Sequence, residues 1–272
     1  MLTQTQAFLK EHGITIDPKL DEQQLVDQSI IIRLVDAANV TTNDTVIEIG
    51  PGIGNITELL AKKSLQVVTI EKSQKFIKPL KERLQRFPNV EIIEGDALKI
   101  KWPNFDKLVS NIPYSVAEAL IQRLTSVRFD IATLIVPKKF SNTLTYRRED
   151  NEFTKLSFIS SLFFVVHEIF TIPVSAYFPE PRTRTVIITL QPLQSVQPWD
   201  LVLKKILLQQ SKKTRNALKE SLIQSTVPSY PSTKRNAEKF IRNLNLNPRL
   251  MEKRVARLTL KDLELLRTKL IG

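Results

Sequence analysis

Short apolar runs alternate with amphipathic stretches through the first half of the chain. Each run is rich in β-branched residues and ends in polar or glycine residues, which predicts a buried β-strand. In the stretches between them, apolar residues recur at the three-to-four-residue spacing of a helix face. The predicted strands lie within residues 45–55, 66–71, 89–98, 105–114 and 131–137, and the predicted helices within 21–39, 56–64, 74–86 and 116–124.

Strands that alternate with helices in this way predict an α/β fold with a mostly parallel sheet covered on both faces. The pattern changes after residue 153, where two longer apolar runs flank the proline-rich loop 175–185. These two runs predict an antiparallel hairpin that closes the sheet. In open parallel sheets the ligand binds at the carboxyl ends of the strands, so these ends are where we expect the site.

Beyond Pro192 the chain becomes basic and helical, which predicts a domain boundary near residues 192–198. Residues 1–20 show no clear periodicity and are predicted to form a flexible N-terminal arm. Residues 21–192 are then the α/β domain, and residues 193–272 form a small helical domain.

The positive charge of the chain is concentrated in that helical segment. The 272 residues carry a net charge of +12, and residues 191–272 hold 17 lysines and arginines against 6 acidic residues. The first 190 residues have a net charge of only +1. This asymmetry predicts a nearly neutral catalytic body and a cationic segment that binds a polyanion such as RNA. A merely solvated, soluble surface is the alternative.

Composition excludes several classes of protein. The absence of cysteine excludes a disulfide scaffold, a thiolate metal site and cysteine catalysis. Two histidines leave little room for a histidine-rich centre, so we expect no metal. No apolar run approaches the ~18 residues of a membrane span, so we expect a soluble, cytoplasmic protein with no membrane partner. We also expect it to be a monomer.

A glycine loop follows the first predicted strand, with glycines at positions 50, 52 and 54. Because glycine lacks a Cβ, it lets the backbone turn sharply and approach a cofactor closely. The dinucleotide-binding spacing G-x-G-x-x-G would require glycine at position 55, where the chain has asparagine. The loop therefore favours another nucleoside-like cofactor over a dinucleotide, with a purely structural turn as a further alternative.

Acidic residues follow the next two predicted strands. Glu71, 17 residues after Gly54, is placed to accept hydrogen bonds from two ribose hydroxyls, with an ordinary surface glutamate as the alternative. Asp96 is placed to accept a hydrogen bond from an adenine amino group. An aspartate here is equally typical of a helix N-cap, so both interpretations stay open.

The segment Asn111–Tyr114 follows another predicted strand. Pro113 removes a backbone donor and stiffens the turn, which leaves neighbouring carbonyl groups free to accept hydrogen bonds. The side-chain carbonyl of Asn111 and a backbone carbonyl can hold both hydrogens of an aromatic amino group, and Tyr114 offers a stacking face. This arrangement suits methyl transfer to an exocyclic amine without a strong base. A plain strand-to-helix turn is the alternative.

Four motifs and the basic segments after them occur in the order of a known family. EIGPGIGN, GDAL, SNIPY and SAYFPEPRT resemble the S-adenosylmethionine-dependent rRNA adenine dimethyltransferases of the KsgA type, in the archaeal and eukaryotic-like branch. The resemblance implies a Rossmann-like class I methyltransferase fold with S-adenosyl-L-methionine as cofactor. It also implies dimethylation at N6 of two adjacent adenines near the 3′ end of small-subunit rRNA, with the immature small ribosomal subunit as partner.

The resemblance also implies which residues form the site. The catalytic group, which would hold the target adenine, comprises Asn111, Ile112, Pro113, Tyr114, Tyr177 and Phe178. The cofactor-binding group comprises Gln23, Leu25, Glu48, Gly50, Gly52, Gly54, Glu71, Lys72, Asp96, Ala97 and Asn111. The family pattern favours Tyr177 over Phe178 as a second aromatic surface, and core packing of the hairpin is the alternative for both.

The chain departs from the family pattern at two places. Where members commonly read D-Q-H-F-L-V-D, it has Glu22 and Gln24 in place of the glutamine and the aromatic residue. Where members often read Q-K-E-F, the segment 136–140 has a lysine in place of the acid. A catalytically weakened paralogue that acts as a ribosome-assembly or nucleic-acid-binding factor is therefore the alternative to an active enzyme. A DNA adenine or protein-glutamine methyltransferase is a second alternative, which Ile112 and the basic segments argue against.

Overall fold

The computed structural model describes residues 1–18, 21–145, 154–225, 227–228 and 230–271. Its helices are α1 (Leu2–Glu11), α2 (Gln28–Ala37), α3 (Thr57–Lys63), α4 (Gln74–Leu84), α5 (Ala117–Leu124), α6 (Lys138–Leu144), α7 (Lys155–Phe163), α8 (Pro198–Leu207), α9 (Thr214–Ile223), α10 (Lys234–Asn243), α11 (Pro248–Glu252) and α12 (Leu260–Ile271). Its strands are β1 (Gln24–Leu25), β2 (Thr45–Ile49), β3 (Gln66–Glu71), β4 (Val90–Glu94), β5 (Lys107–Asn111), β6 (Ile131–Pro137), β7 (Phe164–Ile172), β8 (Tyr177–Phe178) and β9 (Thr185–Pro192).

Seven of the strands form one sheet in the order β4-β3-β2-β5-β6-β9-β7. The first five run parallel to one another, whereas β9 runs antiparallel to both β6 and β7. The predicted α/β fold, with its antiparallel hairpin at the end of the sheet, is confirmed. A second, two-stranded pair joins β1 to β8 in antiparallel register.

The central strands are buried because helices cover both faces of the sheet. In β6, every residue from Ile131 to Val136 is buried, whereas the edge strand β4 is only half-buried. Helix α2 contributes Ile31, Leu34 and Val35, the apolar positions that predicted a helix, to the core on one face. The Asp27 side chain caps this helix by accepting from the backbone N–H of Ser29 at 2.8 Å.

The N-terminal residues differ from the prediction. The sequence predicts a flexible arm over residues 1–20, but residues 2–11 form helix α1. Leu9 is buried in a cluster with Ile53 of the glycine loop and Phe76 of α4. The apolar residues of this helix are too few and too widely spaced to form a visible stripe. The contacts that hold the helix are long-range, so local periodicity could not predict it.

Two other segments differ from their predicted form. The helix predicted from residue 21 begins at Gln28, because residues 24–25 are extended and pair with β8. The apolar run before β7 is a helix, α7, rather than part of the hairpin. The extended pair is only two residues long, and the run before β7 is apolar nearly throughout, so neither segment has a period that distinguishes a helix from a strand.

The chain divides into two compact units. The first comprises Met1–Thr145 with Phe164–Pro192, and the second comprises Tyr146–Phe163 with Leu193–Gly272. The division after Pro192 falls where the sequence predicts a boundary. The described part of the segment before β7 belongs to the second unit instead of the first, because α7 packs against α8 and Phe163 accepts a backbone hydrogen bond from Leu193.

Helices make up the regular structure described in the second unit. Helix α8 begins with a capping box, in which Gln197 and Asp200 exchange hydrogen bonds between side chain and backbone. Asp200 is also paired with Arg267 of α12 at 3.2 Å. Burial raises the pKa of Asp200, and the Arg267 guanidinium opposes that effect. The unit therefore has its own small core with an ionic link across two helices.

The described residues lack two features, a membrane-spanning helix and a metal-binding cluster. No helix among them combines the length and the apolar character that crossing a membrane would require. They also contain no group of three histidine or acidic side chains arranged to hold a metal ion.

Burial in the core of the first unit predicts that the same leucine-to-alanine substitution lowers stability by different amounts at two positions near α3. Leu60 on α3 is fully buried, whereas Leu65, just beyond that helix, is 61% exposed. We expect Leu60→Ala to lower the free energy of unfolding by about 2–5 kcal/mol, and Leu65→Ala to change it by less than about 0.5 kcal/mol. Urea denaturation of both variants measures the difference, and equal effects would contradict the described packing of α3.

Candidate active site

The loops after β2, β3 and β5 meet at one edge of the sheet, because these parallel strands are neighbours. They surround a cavity of about 400 Å³. Ligand pockets in proteins usually have volumes of about 300–1,000 Å³, so the cavity is large enough for a nucleoside-sized molecule. The fourth wall is the segment Asp21–Leu25, which precedes helix α2.

The structure brings half of the predicted site residues to the cavity wall. The predicted residues that line it are Gln23, Leu25, Gly50, Gly52, Glu71, Lys72, Asn111 and Pro113. The other predicted residues are not among those that line it, and they are Glu48, Gly54, Asp96, Ala97, Ile112, Tyr114, Tyr177 and Phe178. The roles predicted for all of them stay predictions.

The glycine loop has the geometry that only glycine adopts readily. Gly50, Gly52 and Gly54 have φ angles of +68°, +57° and +85°. A Cβ added to Gly52 would lie 2.5 Å from Oε1 of Gln24, and one added to Gly50 would lie 3.5 Å from Cδ of Pro113. The loop is therefore packed between the segment before α2 on one side and the Asn111–Tyr114 turn on the other.

Gln24 was not among the predicted site residues, although its position was noted as a departure from the family pattern. Its side chain is buried and fills the space beside Gly52. Oε1 accepts from the backbone N–H of Ile53 at 3.2 Å, and Nε2 donates to the carbonyl of Glu22 at 2.6 Å. The amide, which stands where family members commonly have an aromatic residue, thus makes two hydrogen bonds to the backbone.

Asp21 connects the same segment to the turn after β5. Its φ of +58° is in the left-handed region, where a short polar side chain is tolerated. Its carboxylate accepts from the backbone N–H of Ser115 at 3.0 Å. Sequence reasoning missed this residue, because a bond across 94 positions leaves no local signal. Together, Asp21 and Gln24 hold the glycine loop and the turn against one segment.

Two buried carboxyl groups lie under the glycine loop. Glu71 accepts from the backbone N–H of Gly52 at 3.1 Å and from that of Ser73 at 2.7 Å. Burial raises its pKa, although these hydrogen bonds oppose the effect. Glu48 accepts a 2.6 Å hydrogen bond from the Thr57 hydroxyl, and burial raises its pKa to about 8, with a further contribution from Glu71. Glu48 is therefore protonated at neutral pH and supports the loop from behind.

Asp96 is placed as a turn residue. Its side chain accepts from the backbone N–H of Leu98 at 2.9 Å and pairs with Lys72 at 3.1 Å. The backbone bond closes an Asx turn after β4, and no helix begins there among the described residues, so Asp96 is not the helix N-cap that was the alternative. Neither contact tests the predicted hydrogen bond to an adenine amino group, which stays a prediction, as does the role of the neighbouring Ala97.

The predicted aromatic residues differ in their exposure. Tyr114 is half-buried at the start of a 3₁₀ turn, and its hydroxyl interacts with the side chain of Thr183. Tyr177 is 3% exposed in the core, with its hydroxyl 2.6 Å from that of Thr185. Phe178 packs in the apolar cluster of α1 and the glycine loop, and Ile112 is buried. Tyr114 and Phe178 are therefore both half-buried, and both are more accessible for stacking on a base than the buried Tyr177.

Comparison with known proteins identifies the family to which this site belongs. The family model described as ribosomal RNA adenine dimethylase matches residues 14–247. The chain belongs to this family. The resemblance drawn from the motifs is therefore confirmed, and this dimethylase uses S-adenosylmethionine as its methyl donor.

Individual relatives match most of the dimethylase. A probable ribosomal RNA small subunit methyltransferase A from Methanothermobacter thermautotrophicus is 30% identical over 266 residues, covering 97% of this chain and 94% of that protein. One from Thermococcus kodakarensis is 36% identical over 218 residues, covering 79% and 78%. The crystal structure of a dimethyladenosine transferase from Plasmodium falciparum has a TM-score of 0.63 and 27% identity, covering 89% of this chain and 95% of that one.

The residues of this dimethylase fit such a donor. Gly50 and Gly52 line the cavity with positive φ angles, so this wall is bare backbone that a nucleoside-sized molecule can approach closely. The Glu71 carboxylate accepts two backbone hydrogen bonds and has lone pairs left for ribose hydroxyls. The cavity is also bordered by Asp21, whose negative charge suits a cationic sulfonium compound. Bound there, S-adenosylmethionine supplies an electrophilic methyl group.

The glycine loop predicts a loss of cofactor affinity in Gly52→Ala. The added Cβ meets the hydrogen-bonded amide of Gln24, so we expect affinity for S-adenosylmethionine to fall by about tenfold or more, which corresponds to at least ~1.4 kcal/mol. Gly13→Ala is the matched control, since Gly13 has a similar φ of +62° but open space around it. In Gly13→Ala, backbone strain should lower the free energy of unfolding by only ~1–2 kcal/mol, and affinity for S-adenosylmethionine should be kept. Calorimetric titration and thermal unfolding separate the two effects.

Glu48 predicts a pH dependence of stability. Its pKa is about 8 in the folded chain and about 4.5 when unfolded, so between these values the folded state holds a proton that the unfolded state has lost. The stabilising contribution is complete below pH 4.5 and disappears as pH rises through 8, by up to about 1.4 kcal/mol per pH unit. Glu48→Gln should flatten the fall in unfolding free energy between pH 5 and 8, as measured by urea denaturation. The exposed Glu118→Gln is the control, and an unchanged slope in Glu48→Gln would contradict the assignment.

Proposed function

We propose that the dimethylase transfers methyl groups from S-adenosylmethionine to N6 of two adjacent adenines near the 3′ end of small-subunit rRNA. It would act as a monomer on the immature small subunit during maturation. The observation that carries this proposal is the contact between the glycine loop and the turn at Asn111–Tyr114, where Pro113 lies beside Gly50. The elements proposed to hold the methyl donor and the amine share one cavity.

The orientation of the Asn111 amide supports the proposal. Its Nδ2 lies 3.5 Å from the carbonyl oxygen of Gln23, at the outer limit of a hydrogen bond. With the NH₂ group turned toward that carbonyl, Oδ1 is left to accept a hydrogen from the adenine amine. Acceptors on both amine hydrogens favour a geometry in which the nitrogen lone pair points at the methyl carbon.

Tyr114 supports the proposal through its protonation state. Burial, with a contribution from the negative charge of Asp21, raises the pKa of its hydroxyl to about 12. The phenol therefore keeps its proton at neutral pH and does not act as a base. Its proposed role is a stacking face for the adenine ring, which holds the amine in line with the methyl group.

The second unit supplies the proposed affinity for RNA. Four cations on α10, Lys234, Arg235, Lys239 and Arg242, are exposed, and among the described residues they have no ion-pair partner. Cations of this kind displace counterions from phosphates and give salt-dependent binding without reading sequence. Shape of the RNA would then supply much of the selectivity.

One observation favours the second candidate, a ribosome-assembly factor with weakened catalysis. Glu22, which replaces the family's glutamine, forms a 2.5 Å ion pair with Lys75 of α4 and accepts from the backbone N–H of Asp17. A side chain held by these contacts is less available to a cofactor. Calorimetric titration with S-adenosylmethionine distinguishes the candidates, because subunit binding without any cofactor affinity would support the assembly factor.

The primary experiment tests the reaction on its natural RNA. Mass spectrometry of the adenines in small-subunit rRNA should detect N6-dimethyladenosine at two neighbouring positions when the dimethylase is present, and none when its gene is deleted. Unmethylated adenines in both samples would overturn the proposal. Equal methylation of duplex DNA and of the subunit precursor by the purified protein would point to the DNA-modifying alternative.

Asn111→Ala predicts a separation of chemistry from cofactor binding. Loss of the side-chain acceptor should lower the rate of methyl transfer by about a hundredfold or more, comparable with the loss of one well-placed polar group in other active sites. Affinity for S-adenosylmethionine should stay within about twofold, because the glycine loop and Glu71 are unchanged. Asn104→Ala, at an exposed position near the opposite edge of the sheet, is the control. Equal loss of transfer and affinity would refute the role of Asn111.

A further inference from the structure

A group of cations lies beside the turn that is proposed to hold the adenine. Lys139 at the start of α6 and Arg182 and Arg184 before β9 are exposed side chains of the first unit. In the described part of the chain, none of the three forms an ion pair. Since the first 190 residues have a net charge of only +1, free cations at this place are not a consequence of general composition.

Backbone contacts fix the position of this group. The backbone N–H of Lys138 donates to the carbonyl of Arg184 at 3.0 Å, and Pro137 pairs with Thr185 in the ladder of β6 and β9. The group therefore lies at the carboxyl end of β6, on the same edge of the sheet as the cavity.

The threonines that alternate with the two arginines contact the tyrosines of the proposed site. Thr183 interacts with the Tyr114 hydroxyl, and Thr185 lies 2.6 Å from that of Tyr177. The side chains of Arg182 and Arg184 are exposed, so they extend from a segment that is anchored to the base-binding turn. The guanidinium groups of Arg182 and Arg184 therefore lie near any ligand that contacts Tyr114.

Among the described residues, nearby acids do not neutralise the group. Glu168 is paired with Lys138 at 2.6 Å and also accepts from the Ser141 hydroxyl. Glu180 is exposed, but it has no described ion pair with either arginine. In the described part of the chain, three cations against one free acid leave a positive rim, whereas the cavity beside it is lined by Asp21, Glu22 and Glu71 and by Lys72, which is paired with Asp96.

We propose that Lys139, Arg182 and Arg184 form a binding site for the phosphate groups that flank the target adenine in the RNA strand. The proposal deepens the proposed function and rests on it for the identity of the strand. A nucleotide that enters the site presents its base to Tyr114 and leaves its backbone at the rim. Guanidinium groups there bind phosphate oxygens in bidentate fashion and fix the register of the strand without reading its sequence.

The test compares two double variants that remove equal charge. Arg182→Ala/Arg184→Ala removes the arginines of the rim, and Lys101→Ala/Arg128→Ala removes two exposed cations near the amino ends of β5 and β6. The probe is a fluorescein-labelled 3′-terminal fragment of small-subunit rRNA, bound to the full chain at several salt concentrations. Fluorescence anisotropy gives the slope of log affinity against log salt concentration.

We expect the rim variant to reduce that slope by about 1.4–1.8, the value for two lost phosphate contacts, and to weaken binding at least about tenfold in low salt. The Lys101→Ala/Arg128→Ala variant should keep the salt slope and the RNA affinity close to those of the wild type. Arg182→Lys/Arg184→Lys should retain most of the slope. Calorimetric affinity for S-adenosylmethionine should be unchanged in every variant, which shows that the first unit is folded.

Equal losses in the two alanine variants, or no loss in the rim variant, would overturn the proposal. Its failure is distinguishable from failure of the proposed function. Wild-type protein that binds the probe through the rim but leaves adenines unmethylated would retain the phosphate site and refute the methyl transfer. A rim variant that still methylates adenines, with an unchanged KM for RNA and an unchanged salt slope, would refute the phosphate site and retain the methyl transfer.

Discussion

The arrangement of the site depends on the contact between Gln24 and Gly52. The glycine loop can pass close to the segment before α2 only because Gly52 has no side chain, and the Gln24 amide fills the space with hydrogen bonds to Ile53 and Glu22. That segment is in turn bonded to the turn after β5 through Asp21. Two loops proposed to bind different molecules are thus held by one short stretch of chain, so their separation is set by the fold rather than by ligands.

Electrostatics separates the interior of this site from its rim. The cavity is lined by three acidic residues and by Lys72, which is paired with Asp96, while Lys139, Arg182 and Arg184 lie outside it beside Tyr114. A cationic sulfonium donor is favoured in the acidic interior, whereas phosphate groups are repelled from it and attracted to the rim. In the proposed function this separation directs a nucleotide, because only its uncharged base can enter. Protonation of Glu48 limits the repulsion that two buried carboxylates would otherwise exert on the loop.

Sequence patterns predicted the sheet and its ligand edge because those features are local. Strands β3 and β6 have their predicted bounds, and the glycine loop makes the predicted sharp turn, with positive φ angles. The features that were missed depend on partners distant in the chain. Helix α1 is held by Ile53 and Phe76, Gln24 by the glycine loop, and Asp21 by Ser115. The burial of Tyr177 likewise follows from the pairing of β8 with β1, which a two-residue strand does not reveal in sequence.

The basic segment shows why net charge is a poor guide to a binding surface. Lys212, Lys213, Arg215 and Lys219 belong to the charge excess that predicted RNA binding, yet each has an acidic partner within 3.2 Å or less. Exposed pairs of this kind contribute at most about 1 kcal/mol, so phosphate can replace the acid, but the exchange releases less favourable free energy than binding to a free cation. The exposed cations of α10 have no described acidic partner to displace, so phosphate binding there does not lose this free energy. Electrostatic affinity should therefore come first from α10 in the second unit and from the rim in the first, two surfaces that total charge could not distinguish.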